Sequence, residues 1–138
     1  MENIAKLFEE DFLIKCNRSI NEINLLEKNF NYTFPIDYSY FLMEYDGGEG
    51  LTACEENFLT LYGFNNLREI NFDLHNIHNY PSVFKDYIFI GKNAGPTYYD
   101  FNKYNNFVYE IPELISDEIE IQYFSDTFLE FLSKYARL

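Results

Sequence analysis

Residues 23–50 read INLLEKNFNYTFPIDYSYFLMEYDGGEG, an order of helix, proline, second helix and diglycine from which the rest of the chain can be organised. Just upstream, Ser19 with Glu22 three residues on forms a capping box, and Ile20, Ile23, Leu26 and Phe30 then recur at helical spacing. That spacing predicts an amphipathic helix. Phe34 precedes Pro35, which disfavours helical dihedrals at Phe34 and suits the first turn of a new helix; Asp37 places negative charge near that helix's positive end. Tyr38, Phe41, Leu42 and Tyr45 follow at i, i+3, i+4 and i+7 as one apolar stripe, and Gly47-Gly48 is expected to end the helix in left-handed geometry.

Upstream of the pair, residues 4–14 read as a short helix with Leu7, Phe8 and Phe12 on its apolar side. Downstream, 49–57 reads as polar loop and 58–62 alternates as a strand. Leu67, Ile70, Leu74 and Ile77 return at helical spacing, so a crossover helix is expected over roughly 66–78, ended by Pro81. Three strands, 87–90, 97–101 and 106–111, follow as an antiparallel meander joined by Gly91–Pro96 and Asn102–Asn105. Ile119, Ile121 and Tyr123 suggest a further extended segment. Ser125 is then the expected cap of a final helix burying Phe128, Leu129, Leu132 and Tyr135. The fold class expected is α+β: one domain over residues 1–138, with an antiparallel sheet of about four strands packed by the N-terminal helix pair, the crossover helix and the C-terminal helix.

Several of these pieces, in this order and spacing, resemble the SMI1/KNR4 family, also called the SUKH superfamily. They are Leu26-Glu27, Pro35, Tyr38, Phe41-Leu42 and Gly47-Gly48, then 87–91 (YIFIG), 95–100 (GPTYYD) and 125–132 (SDTFLEFL). The resemblance implies a binding domain. Many bacterial members of the superfamily are immunity proteins that bind and neutralise a cognate toxin, whereas fungal members suggest a regulatory scaffold that gathers cellular partners.

Charge points the same way. With 23 acids against 10 Lys and Arg the net charge is −13, which opposes nucleic acid and favours basic partners. The acids are also segregated. Between Lys28 and Arg68 stand Asp37, Glu44, Asp46, Glu49, Glu55 and Glu56 with no basic residue among them. Between Lys103 and Lys134 stand Glu110, Glu113, Asp117, Glu118, Glu120, Asp126 and Glu130, again with none. An acidic face of this kind steers a basic protein at high association rate. No apolar run is long enough for a membrane span and the N-terminus MENIAKLFEEDF is acidic, so a cytoplasmic protein is expected. It is expected to be a monomer or weak homodimer.

Catalytic and metal chemistry find little footing. His75 and His78 are three apart on the crossover helix but lack a third ligand at fitting spacing. Cys54 precedes Glu55-Glu56, and negative neighbours raise a thiol pKa; Cys16 is only slightly better placed, so both are read as free structural thiols. Gly91–Pro96 contains a lysine but lacks the phosphate-cradling order, and no carboxylate pair sits in an apolar stretch. No enzyme activity, cofactor or metal is therefore expected. The contact residues expected for a basic toxin, including a nuclease, are Asp46, Glu49, Glu55 and Glu56 after the second helix, with Tyr98, Tyr99 and Asp100 of the meander as exposed anchors.

Overall fold

The computed structural model describes residues 4–53, 57–76, 82–115 and 120–137. Its centre is one seven-stranded antiparallel sheet whose strands lie in chain order: β1 (Leu13–Lys15), β2 (Tyr45–Leu51), β3 (Phe58–Leu61), β4 (Tyr87–Asn93), β5 (Thr97–Asn102), β6 (Val108–Pro112) and β7 (Gln122–Ser125). The helices are α1 (Ile20–Phe30), α2 (Ile36–Glu44), α3 (Phe64–Asn76) and α4 (Phe128–Ala136), with short 3-10 helices at Ile4–Leu7 and Ser82–Asp86. The fold is α+β as expected. The sheet has three strands beyond the expected four, because β1, β2 and β7 carry no long run of alternating apolar residues.

The helix pair forms as its spacing requires. Ser19 Oγ accepts from the Glu22 N–H, and Ile23, Leu26 and Phe30 are buried. Asn31 closes α1 at φ 50, ψ 48. Glu27 Oε2 then accepts from the Phe34 N–H at 2.6 Å, tying the turn so that Pro35 can start α2. Tyr38 lies at the centre of the aromatic core, with ring centroids 5.3 Å from Phe34, 5.1 Å from Phe101 and 4.8 Å from Phe128.

The diglycine does not end α2. The helix stops at Glu44, Tyr45 is already extended, and the two glycines lie within β2. A Cβ on Gly47 would stand 2.2 Å from the Leu61 carbonyl oxygen, at a φ of +67, and one on Gly48 would stand 1.9 Å from the Phe12 carbonyl oxygen. Only glycine lets β2 pass this closely between its neighbours. Residues 4–14 likewise form a 3-10 turn and the approach to β1 rather than one helix, with Phe8 and Phe12 stacked 4.1 Å apart in the core. The final helix is capped by Thr127, whose Oγ1 accepts from the Glu130 N–H; Ser125, the expected cap, belongs to β7.

Both faces of the central strands are covered. On one, Tyr99 meets Phe131 and Tyr135 of α4, and Phe101 meets Tyr38 and Phe128. On the other, Tyr98 meets Phe89, which in turn packs on Phe84 and His75. This double coverage explains why β4 reads as a continuous apolar run and not as an alternation. Asn71 of α3 completes this layer. β3 ends at Leu61, opposite Gly91, so Phe89 lies beyond that ladder. Asn71, itself fully buried, accepts from the Phe89 N–H at 2.7 Å and donates to the Phe89 carbonyl at 2.9 Å.

Candidate partner-binding surface

The structure removes Tyr98, Tyr99 and Asp100 from the surface. They are 8%, 2% and 0% exposed, because alternation along β5 sends side chains to two faces and helices cover both. Of the meander tyrosines, Tyr104 alone is widely exposed, in the β5–β6 turn, with its hydroxyl donating to Asp86. Asp100 is enclosed near Phe89 and Tyr109, its partners on the flanking strands, and among the described residues neither carboxylate oxygen has a hydrogen-bond partner. Burial, with Glu110 adding a like charge, pushes its carboxyl well above the usual range.

Asp46 and Glu49 remain at the surface of β2, on a shallow groove of about 350 Å³ that Ile14 and Asn65 also line. Asp46 is nonetheless occupied by the fold. Its Oδ1 accepts from the Phe64 N–H at 2.9 Å, capping α3, and from the Arg18 guanidinium at 2.7 Å. Burial opposes the charge, but these two donors outweigh it and hold the Asp46 carboxyl below its ordinary value. Arg18 is held in turn by the Leu42 carbonyl and by the Phe64 ring, 4.6 Å from its centroid. Glu49 is exposed and accepts from Thr60 Oγ1 at 3.5 Å. Glu55 and Glu56 lie outside the described residues.

Sequence reasoning missed a second surface, on α2, α4 and β7. Ile36 and Tyr40 stand one turn apart on the outer side of α2, 71% and 53% exposed. Beside them Asp37 Oδ2 accepts from the Leu129 N–H at 3.1 Å, joining the start of α4 to α2. Leu129, Tyr123 and Glu130 then line one open groove of about 710 Å³, with Lys134 and Arg137 on its α4 side, and Tyr123 packs edge-on against Phe107. The Tyr123 hydroxyl donates to Asp126, which pushes that phenol up to about 12. Carboxylates from both acid-rich segments thus come near the start of α4, Asp37 from the first and Asp126 and Glu130 from the second. The signal available in sequence was Tyr40, which falls outside the stripe of Tyr38, Phe41, Leu42 and Tyr45. Leu129, expected on the buried stripe of the last helix, is instead exposed.

Among the described residues, no three His, Cys, Asp or Glu side chains converge as a metal site would require. His75 Nε2 is engaged by the Tyr87 carbonyl at 2.7 Å. His78 and Cys54 lie outside the described residues; Cys16 is a free thiol, raised first by burial. No helix among the described residues is long and apolar enough to cross a membrane.

A search of curated proteins returns no match to the chain. The family model described as SMI1 / KNR4 family (SUKH-1) matches residues 19–134, from the cap of α1 through most of α4. On that match, across the helix pair, the whole meander and the closing helix, the chain belongs to the SMI1/KNR4 (SUKH-1) family, whose fold supports a protein-interaction domain.

Proposed function

We propose that this domain is a non-catalytic immunity protein that binds a basic toxin domain, including a nuclease, and neutralises it by occlusion. The observation that carries the reading is the exposed apolar surface on α2, α4 and β7, with Asp37, Asp126 and Glu130 beside it, in a chain with net charge −13. Tyr40, Tyr123, Ile36 and Leu129 supply the apolar contact, and the carboxylates around them guide a basic partner to it. Nuclease domains hold phosphates and so present cationic clefts that such a face complements. The groove at Ile14, Asp46 and Glu49 is the second contact region of the same reading, and Glu55 and Glu56, outside the described residues, are added to it on their sequence alone.

The test uses the whole domain as bait in an extract of its native cells, at low and at moderate salt. One basic, nuclease-like domain retained at both is the expected result. Tyr40→Ala with Glu44→Lys should weaken that retention by about thirtyfold or more, since buried interface tyrosines commonly contribute about 2 kcal/mol. Glu49→Lys with Glu55→Lys and Glu56→Lys reports on the second region. Several unrelated cellular proteins retained together would overturn immunity in favour of a regulatory scaffold.

A further inference from the structure

Around α3, across the sheet from α4, the charge reverses. A cleft of about 570 Å³ is walled by Arg68, Phe72 and Asn76 of α3, by Lys85 of the Ser82–Asp86 turn, by Lys103 of the β5–β6 turn and by Asn29 at the end of α1. Four segments therefore converge, and three of the chain's ten Lys and Arg residues face one opening while, among the described residues, no carboxylate lines it. In a chain with 23 acids this segregation is the opposite of what a uniformly solvated surface would show. The ion pairs formed among the described residues engage Arg18 and Lys92, so Arg68, Lys85 and Lys103 are not neutralised by a close carboxylate there. Burial lowers the Lys103 pKa against the opposing charge of Asp86, and its ammonium approaches the Phe30 carbonyl at 3.4 Å.

We propose that this cleft binds a phosphorylated small molecule carrying an aromatic ring, of the mononucleotide class. Its volume falls within the range of small-ligand sites, about 300–1,000 Å³. Three cations suit the two to three negative charges of a phosphate ester or diphosphate. The Phe72 ring, on a residue 66% exposed at the edge of the cleft, provides a platform on which a planar base can stack. Asn29 and Asn76 offer amide groups at the rim. His75 also lines the cleft; burial first, then the charges of Lys103 and Lys85, lower its pKa. The concave shape and small volume favour such a ligand over an acidic protein face, which needs roughly 800 Å² of complementary surface on each side.

The experiment is an NMR titration of the isotope-labelled domain with ADP, inorganic pyrophosphate and adenosine at low salt. Saturable ADP shifts centred on Asn76, Lys85 and Lys103 are expected, with weaker binding of pyrophosphate and none of adenosine. Arg68→Glu with Lys85→Glu should abolish both phosphate ligands. Phe72→Ala should weaken ADP by about tenfold and leave pyrophosphate unchanged. Because these three side chains project from exposed positions, thermal melts will confirm that the variants fold. Absence of saturable binding at millimolar ADP overturns the proposal. So do equal shifts from ADP and pyrophosphate insensitive to Phe72→Ala, which would mark adventitious anion binding only, and ligand-independent shifts that grow with protein concentration, which would mark a second copy of the chain as the occupant. None of these outcomes depends on the toxin reading.

Discussion

Replacing Asp100 by Asn should stabilise the protein increasingly as pH rises. In the folded chain the carboxyl is fully buried with both oxygens unpartnered, and burial followed by the like charge of Glu110 raises its pKa. In the unfolded chain it titrates near the ordinary value of about 3.9. Above that value unfolding releases a proton, so ionisation favours the unfolded state and wild-type stability falls until the folded carboxyl itself ionises. Asn keeps the size and cannot ionise. The stability gap between the two proteins therefore widens by up to about 1.4 kcal/mol for each pH unit above the unfolded value. For a domain of this length, one kcal/mol displaces the melting temperature by roughly 3–4 °C, so each unit should separate the two melts by up to roughly 5 °C. Any unsatisfied amide in the variant shifts its whole curve by a constant, which makes the slope the diagnostic. Circular-dichroism melts in steps from pH 4.5 to pH 7 measure it. Parallel curves would mean that Asp100 is ionised and compensated in the fold, and the reasoning from its burial would be refuted.

Tyr38→Phe removes a buried hydroxyl that has no hydrogen-bond partner while keeping the ring that Phe34, Phe101 and Phe128 surround; denaturant titration should show equal stability or a gain of about 1 kcal/mol, and a loss would reveal a partner for the hydroxyl. Asn71→Ala strands both backbone groups of Phe89 in the interior, with an expected cost of about 3 kcal/mol and early hydrogen exchange at the Phe89 amide. Asp46→Ala removes the acceptor that caps α3 and holds Arg18, at about 1 kcal/mol by thermal melting. Because the Asp46 pKa is lowered in the fold, that difference should be present above the unfolded carboxylate value and vanish as pH falls through the folded one.

How far the residues announced the structure depends on whether local chemistry decided each element. Ser19, Pro35 and the stripe Tyr38, Phe41, Leu42 act within a few residues of themselves, so α1 and α2 were legible. Gly47-Gly48 was not, because its meaning lies in Leu61 and Phe12, which approach from remote strands. The same holds for β1 and β7, short edges whose pairing is set by their neighbours. The site was less legible still. Tyr98, Tyr99 and Asp100 alternate like residues of a half-exposed strand, and only the packing of α3 and α4 on opposite faces shows that neither direction reaches water. Asp46 looked like a free surface charge until Arg18 and Phe64 arrived beside it.

The separation of charge between the two layers also bears on how a partner docks. On the proposed reading, a basic domain approaching this molecule is drawn by the carboxylates on α2, α4 and β7 and repelled by the Arg68, Lys85 and Lys103 cleft around α3. Orientation is therefore selected before contact, over distances comparable to the roughly 8–10 Å screening length of physiological salt. A small anion bound in the cleft would cancel that repulsion and leave the apolar contacts of Tyr40 and Tyr123 untouched. Filling the cleft should then change the association rate of a basic partner, and its salt dependence, far more than the dissociation rate. A ligand that altered dissociation instead would have to act by moving α4 or α2 through the sheet, whose central strands are packed on both faces and resist such movement.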